Sequence, residues 1–407
     1  MRPTSSDIEQ WRHQIGENSL LRLDRAAEKI VEAKRSGKSL VVVTGSGPNL
    51  HEGISTLIAG LIHQGVVDGV ITSSAIIAHE MAGTLDRIYR VHLENPRQLG
   101  IEPHLLARGG DFELSQLSRG QRRLLEKELD IDWGLYDLLN QRPGDSIIKA
   151  AGNMGWPLGL RTEQIAQEAV KLAARDEKPL EAIVGHGCDP WTMVGAGAQN
   201  KIPVIVSTPQ LVGGGAVGLA IGDSIPISHR ARLIARLLAK ADIIIESAVA
   251  LAQEIHDGPF ETYTGHGIWS GWQGEETFSL EEKMLVRIDM DPMLERAWLH
   301  QRENLAIQAA IDQGIPKAKS TGLPFRMEMS GFARLEKSLP IVSDIGLAWP
   351  ILVRHLEKGL GFDLEFVPSP QETQSGKNMR KWIVDNVQPL DRQKMLAQNR
   401  QQCDSME

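Results

Sequence analysis

Ser39-Leu-Val-Val-Val-Thr44, followed at once by Gly45-Ser-Gly-Pro-Asn49, is the stretch on which the fold turns. A continuous β-branched run has no polar face, so it suits a strand covered on both sides, as in a parallel sheet. Leu20, Leu23, Ala27 and Ile30 precede it at helical spacing, with Gly37 as the stop. Ile54, Leu57, Ile58, Leu61 and Ile62 follow it as a second helical face, closed by Gly65. Strand, glycine loop and helix in that order form half of a βαβ unit.

The rhythm repeats outward from there. Val66 to Ile71, Glu181 to Val184, Ile202 to Ser207, Asp242 to Glu246, Met284 to Asp289 and Pro340 to Ser343 read as further short strands. Ser228 reads as the cap of a helix carrying Leu233, Ile234, Leu237 and Leu238, and Ile345 to Leu356 as the last helix of the repeat. Alternation of this kind predicts an α/β class chain with a doubly wound, mostly parallel sheet. Residues 93–180, polar and helix-patterned, read as a helical insertion. Residues 1–370 are expected to form the α/β domain and 371–407, Gln-rich and apolar-poor, a polar C-terminal tail, partly disordered or a peripheral helix.

Composition narrows the function. The chain has 407 residues, 42% hydrophobic and 24% charged, with a net charge of −8. It has no block of Lys and Arg, so nucleic acid is not an expected partner. No apolar run approaches the ~18 residues of a membrane span, so no membrane contact is expected either. The polar start, Met1 to Gly16, does not read as a signal peptide. Two cysteines, Cys188 and Cys403, provide neither a disulfide framework nor a zinc site. A cytoplasmic enzyme with no metal is the expectation.

Several strand-end loops carry chemistry-bearing residues. Gly45, Ser46 and Gly47 allow close approach of a phosphate or ribose, or else make a plain tight turn. Ser73 and Ser74 leave the second strand as ligand contacts or as a helix cap. His79 and Glu80 form an acid–base pair or a substrate clamp, or are satisfied structural residues. Asp289 stands where a ribose hydroxyl is commonly accepted, and Asp291 reads as a helix cap before Pro292. His186 and Cys188 are two apart with no orienting third group. A tight loop with Asp189 capping the next helix and Pro190 at its first position accounts for them better than a thiolate pair. Gly213 to Gly218 is a further glycine-rich wall or loop. Residues 257–282, with Tyr263, His266, Trp269 and Trp272, form a lid or wall for a cationic ligand, or a surface loop.

Asn49-Leu50 with Gly53-Ile54, Val67-Asp68, Thr72 to Ala75, Gln199 to Val204 and Ser343 to Val353 resemble, in order, segments of deoxyhypusine synthase. Ala78-His-Glu80, Gly83-Thr84, Ala241-Asp242, Ile288 to Pro292 and Ile341 to Gly346 resemble the LOR/SDH-type domain of ornithine cyclodeaminases more closely. This resemblance implies a Rossmann-like fold and NAD as cofactor. The implied contacts are Asn49, Leu50 and His51, then Ser73, Ser74 and Ala75, then Ser247 and Ala248, then Asp344 and Ile345. It implies a small cationic amine or amino acid as substrate, transiently oxidised to an imine, and a homo-oligomer. His79 is then the proton-transfer residue and Glu80 the ammonium partner. A deoxyhypusine-synthase-like aminobutyl transfer would use Lys283 as the imine-forming nucleophile. Lys283 lacks the Trp-Gly-Lys context of that family, and Ala75-Ile76 and Ala78-His79 stand where that family has a Gly pair and a Glu pair. A non-catalytic NAD-binding or scaffold protein is the third alternative.

Overall fold

A computed structural model of the chain describes residues 1–45, 47–102, 110–152, 155–207, 209, 211, 214–248, 280, 282–289, 292–323 and 337–404. The first strand is β1 (Leu40–Thr44), and all five of its residues are buried, as its unbroken apolar run requires. The others are β2 (Gly69–Thr72), β3 (Leu85–His92), β4 (Asp111–Ser115), β5 (Gly144–Ala150), β6 (Val204–Val206), β7 (Ile243–Ser247), β8 (Met284–Asp289) and β9 (Ser338–Val342). Six of them make one sheet in the order β6-β2-β1-β7-β8-β9. The pairs β2–β6, β7–β8 and β8–β9 are parallel. From β1 the chain steps outward through β2 and β6, then returns to β7 and steps outward the other way. This is the doubly wound, Rossmann-like order. No helix among the described residues is long and apolar enough to cross a membrane.

The chain divides into two compact units. One comprises Met1–Pro3, Thr44–Ile234 and Leu364–Glu407, the other Thr4–Val43 and Ala235–Asp363. In the second unit the helix Glu17–Arg35 buries Leu23, Ala26, Ala27 and Ile30, one stripe at 3.6-residue spacing. It packs closely on the helix Ile345–Leu360. A Cβ placed on Gly359 would come within 2.5 Å of Val31, so only glycine fits that approach.

The first unit departs from the expected helical insertion. Residues 93–180 do contain the helices Arg119–Glu128, Trp133–Asn140 and Leu158–Arg175, but also β4 and β5. Both pair antiparallel to β3. Val91, Leu93, Leu114, Tyr136 and Leu139 make a small core against this sheet. The sheet is half-buried, so its period-two apolar signal is thin and hidden among charged residues. The stretch 371–407, expected as a partly disordered tail or a peripheral helix, forms the helices Gln374–Asn386 and Arg392–Asp404. Met379, Ile383 and Met395 are buried, and Met379 Sδ lies 2.9 Å from where a Cβ on Gly53 would stand.

Glu181 to Val184, expected as a strand, is instead part of a short helix, Leu180–Val184. A short apolar run cannot by its period distinguish a buried strand from a buried helical turn. The helix sets Glu181 against Arg230, and both side chains are fully buried, 2.5 Å apart. Glu181 also accepts from Val206 N at 2.7 Å. Arg230 also donates to Val206 O at 3.1 Å, Ile221 O at 3.0 Å and Ser224 Oγ at 3.2 Å. One ion pair thereby ties a helix, β6 and the helix Gly215–Ser224 together. Truncating one partner strands the other charge away from water. Arg230→Met is therefore expected to cost about 3–5 kcal/mol in urea unfolding. A loss below about 1 kcal/mol, the range of an exposed pair, would show that water reaches it.

Candidate functional site

In the first unit the loop after β1 begins at Thr44, which is fully buried. Gly47 has φ 70° and ψ −107°, a conformation that disfavours residues with a Cβ. Ser46 lies outside the described residues. Asn49 is buried, and its Nδ2 donates to Gly45 O at 3.1 Å, pinning the turn from inside. Leu50 is buried in the core, so its backbone is the part a ligand could meet. His51 is half-buried and accepts from Arg380 at 3.3 Å. Burial first, then the charges of Arg380, His79 and Lys149, push its pKa down to about 4. His51 is neutral at pH 7.

After β2, Ser73 caps the helix Ser74–Met81, accepting from Ile76 N at 3.4 Å. Every residue of that helix is buried, Ser74 and Ala75 included. His79 Nδ1 faces the carbonyl of Ala151, which fixes the proton on Nδ1 and leaves a lone pair on Nε2. Burial lowers its pKa. Glu80, expected as a partner for a substrate ammonium, is committed elsewhere. Its oxygens accept from Met193 N at 2.9 Å and Val194 N at 3.0 Å, the free donors at the start of the helix Met193–Asn200. Burial pushes its carboxyl up to about 7.

The neighbouring segment also rearranges one expected cap. Thr192, not Asp189, caps Met193–Asn200, accepting from Gly195 N at 3.0 Å. Asp189 accepts from Trp191 N and from Gln388 N instead. Cys188 is buried, and burial pushes its thiol up, so it stays protonated and unreactive. Similarly, the helix Ile227–Lys240 starts one residue ahead of Ser228. Asp291 and Gly213 lie outside the described residues, as does the 257–282 loop apart from Leu280 and Glu282.

The second unit gathers residues at the carboxyl ends of β7, β8 and β9. Ser247 closes β7, and its Oγ accepts from Trp349 Nε1 at 2.8 Å. Ala248 follows with φ 65°, a strained setting for a residue with a Cβ. Asp289 closes β8; its side chain lies outside the description. Asp344 caps the helix Ile345–Leu360, accepting from Gly346 N at 2.7 Å, and Ile345 is buried. Trp349, which orients Ser247, escaped the sequence reading. It is one of several apolar residues in its helix, and its indole N–H alone hinted at a partner.

Lys283 is not with them. It precedes β8 at the amino end, about 20 Å of extended chain from Asp289. Its ammonium donates to Ala239 O at 2.8 Å and Ala241 O at 2.6 Å, closing the end of the helix Ile227–Lys240. Burial lowers its pKa. A nucleophile expected at the strand carboxyl ends is thus found holding a helix terminus at the other end. Among the described residues no three His, Cys, Asp or Glu side chains gather as a metal site.

No protein-family profile and no curated protein sequence matches the chain. Solved structures superpose on it loosely. AgrE, in a ternary complex with ornithine and NAD+, gives a TM-score of 0.40 at 14% identity, over 84% of this chain and 34% of its own. A LOR/SDH protein from Methanococcus maripaludis S2 gives 0.39 at 11% identity, over 88% of this chain and 74% of its own. ArgZ, an arginine dihydrolase from the ornithine–ammonia cycle in cyanobacteria, gives 0.36 at 14%, over 84% of this chain and 32% of its own. The chain spans about a third of the length of AgrE and ArgZ. These structures lend no support to the deoxyhypusine synthase resemblance. Superpositions this loose leave the chemistry to be read from the chain's own residues.

His51 makes a test of the site's electrostatics. Its folded pKa, about 4, lies below the ordinary 6.5, so the unfolded chain takes up the proton first as pH falls. The associated stability is present above pH 6.5 and is lost as pH falls toward about 4. Glu80, raised to about 7, has the opposite sign over an overlapping window, so wild type alone shows only a sum. The difference between wild type and His51→Asn isolates the term. In urea titrations from pH 7 to pH 4.5 the wild type should lose ground relative to the variant. Parallel curves would mean that the imidazole is open to water.

Proposed function

We propose that the chain binds NAD at the carboxyl ends of its parallel strands and uses it to oxidise a small cationic amine or amino acid transiently to an imine. The observation that carries this reading is the strand order β6-β2-β1-β7-β8-β9, with a glycine loop leaving the central strand. In open α/β sheets ligands bind beyond the carboxyl ends, where the order reverses. A Cβ on Gly47 would meet nothing within 4 Å, so the backbone there faces open space, as a cofactor contact needs. The strained φ of 65° at Ala248 is the kind of feature that clusters at ligand sites. The proposed contacts are Gly45, Ser46, Gly47, Asn49, Leu50 and His51, with Ser73 to Ala75. In the second unit the proposed contacts are Ser247, Ala248, Asp289, Asp344 and Ile345.

NAD, when bound, supplies the acceptor for hydride. The chain's part is orientation and proton handling. His79 is held through Nδ1 on the Ala151 carbonyl, and its free Nε2 can take a proton from an amine and return it. Its lowered pKa keeps it in the accepting form at neutral pH. Ornithine is the first substrate to try, from the LOR/SDH resemblance. A second reading, an NAD-binding protein without turnover, is favoured by one observation: Glu80 spends both oxygens on backbone donors.

Calorimetry with NAD+ and NADH should give a binding isotherm, and Gly47→Val should weaken it at least about tenfold by occupying the open space. Absence of heat with both nucleotides would sink the reading. His79→Asn should bind NAD as wild type does and turn ornithine over at least ~10²-fold more slowly. Near-normal turnover would clear the imidazole of a chemical role, while binding with no turnover in wild type would favour the second reading.

A further inference from the structure

In the first unit the helix Gln374–Asn386 sets Arg380 against the turn that follows β1. Its Nη2 donates to Ile148 O, near the end of β5, and to His51 Nδ1 at 3.3 Å. A guanidinium can only donate, so Nδ1 is the acceptor and the proton of the neutral His51 ring sits on Nε2. Arg380 Nε is sealed from water. Arg380 Nη1 and His51 Nε2 are not sealed, and neither has a partner among the described residues. The pair therefore offers N–H donors and no acceptor, on a half-buried positive charge. Burial lowers the pKa of Arg380, and the charge of Glu52 offsets only part of this. An anion at Nη1 would relieve that cost. Lys149, whose charge also reaches His51, is committed to Glu113 at 3.0 Å.

His79 lies close to this pair. It is held by the carbonyl of Ala151, three residues beyond Ile148, so the two anchoring carbonyls are within about 10 Å of each other. A proton acceptor beside a donor pair suits a substrate that carries an anion next to its amine. An α-amino acid does so and a polyamine does not. Gly47 and His51 stand at opposite ends of the helix Pro48–His51, so the open backbone proposed for the cofactor is a separate contact. We infer that Arg380, through Nη1, and His51, through Nε2, receive the carboxylate of an α-amino-acid substrate and set the preference against polyamines. The inference rests on the reading of His79 as the group that takes the amine proton.

The test is calorimetry with NAD+ present, comparing L-ornithine with 1,4-diaminobutane, which has the same amines and no carboxylate. Wild type should prefer ornithine about tenfold or more, the value of a charged hydrogen bond. Arg380→Met should erase that preference and leave diaminobutane binding unchanged, whereas a merely structural arginine would weaken both ligands alike. Arg380→Lys keeps the charge without the fork and should restore part of the preference. Thermal melts establish folding; should Arg380→Met fail to fold, His51→Phe, which removes the Nε2 donor and should lower the preference about threefold, decides. Equal affinities in wild type, an unmoved ratio in a folded variant, or no heat with ornithine up to about 50 mM would overturn the inference. A loss of NAD+ affinity with the ratio unmoved would give these donors to the cofactor's pyrophosphate and overturn it too. Preferential binding of ornithine without turnover would uphold the anchor and sink only the oxidation.

Discussion

β1 has no exposed residue, and that one constraint orders much else. A strand buried on both faces can only be an inner strand of a sheet covered by helices. Its sides are then open to parallel neighbours, and its carboxyl end must lead into a turn that carries no bulky side chain. Gly45 and Gly47 meet that need, Gly47 at φ 70°. Asn49 then takes its hydrogen bond from within the turn, so the loop is held by a buried amide rather than by solvent. The same geometry that closes the fold leaves an open backbone at a strand end, the feature on which cofactor binding would rest.

Buried charge is used here mainly to satisfy backbone and neighbouring strands. Glu80 takes the first donors of a helix, Glu181 takes the Val206 amide and Arg230, and Lys283 closes a helix through two carbonyls. Each is a fixed partner for backbone groups, and each loses chemical freedom in consequence. A residue whose every polar atom is occupied by backbone is a poor acid, base or nucleophile.

The chain's two histidines in this region differ in the same way. His51 is neutralised by burial and nearby cations, while His79 is oriented by a carbonyl that leaves its Nε2 unprotonated. Electrostatics alone makes both neutral at pH 7. Orientation distinguishes them, and orientation comes from the Ala151 carbonyl, 72 residues along the chain.

Local pattern by itself determined the parallel strands, the glycine turn after β1 and the helices flanking it, because burial on both faces and 3.6-residue stripes are properties of neighbouring residues. It also marked Ser73 as a strand-end ligand contact or a helix cap, and Ser73 does cap its helix, a role set within three residues. Tertiary structure alone decided the rest. Whether Glu181 to Val184 is strand or helix depends on Arg230 and Val206, which fill its polar needs from far along the chain. The antiparallel sheet of β3, β4 and β5 is half-exposed and charge-rich, so its pairing, not its composition, reveals it. Lys283 reads as a reactive amine until two carbonyls are seen to hold it. The physical reason is common to all three: a polar side chain's role is set by the partner it meets, and that partner is remote in sequence.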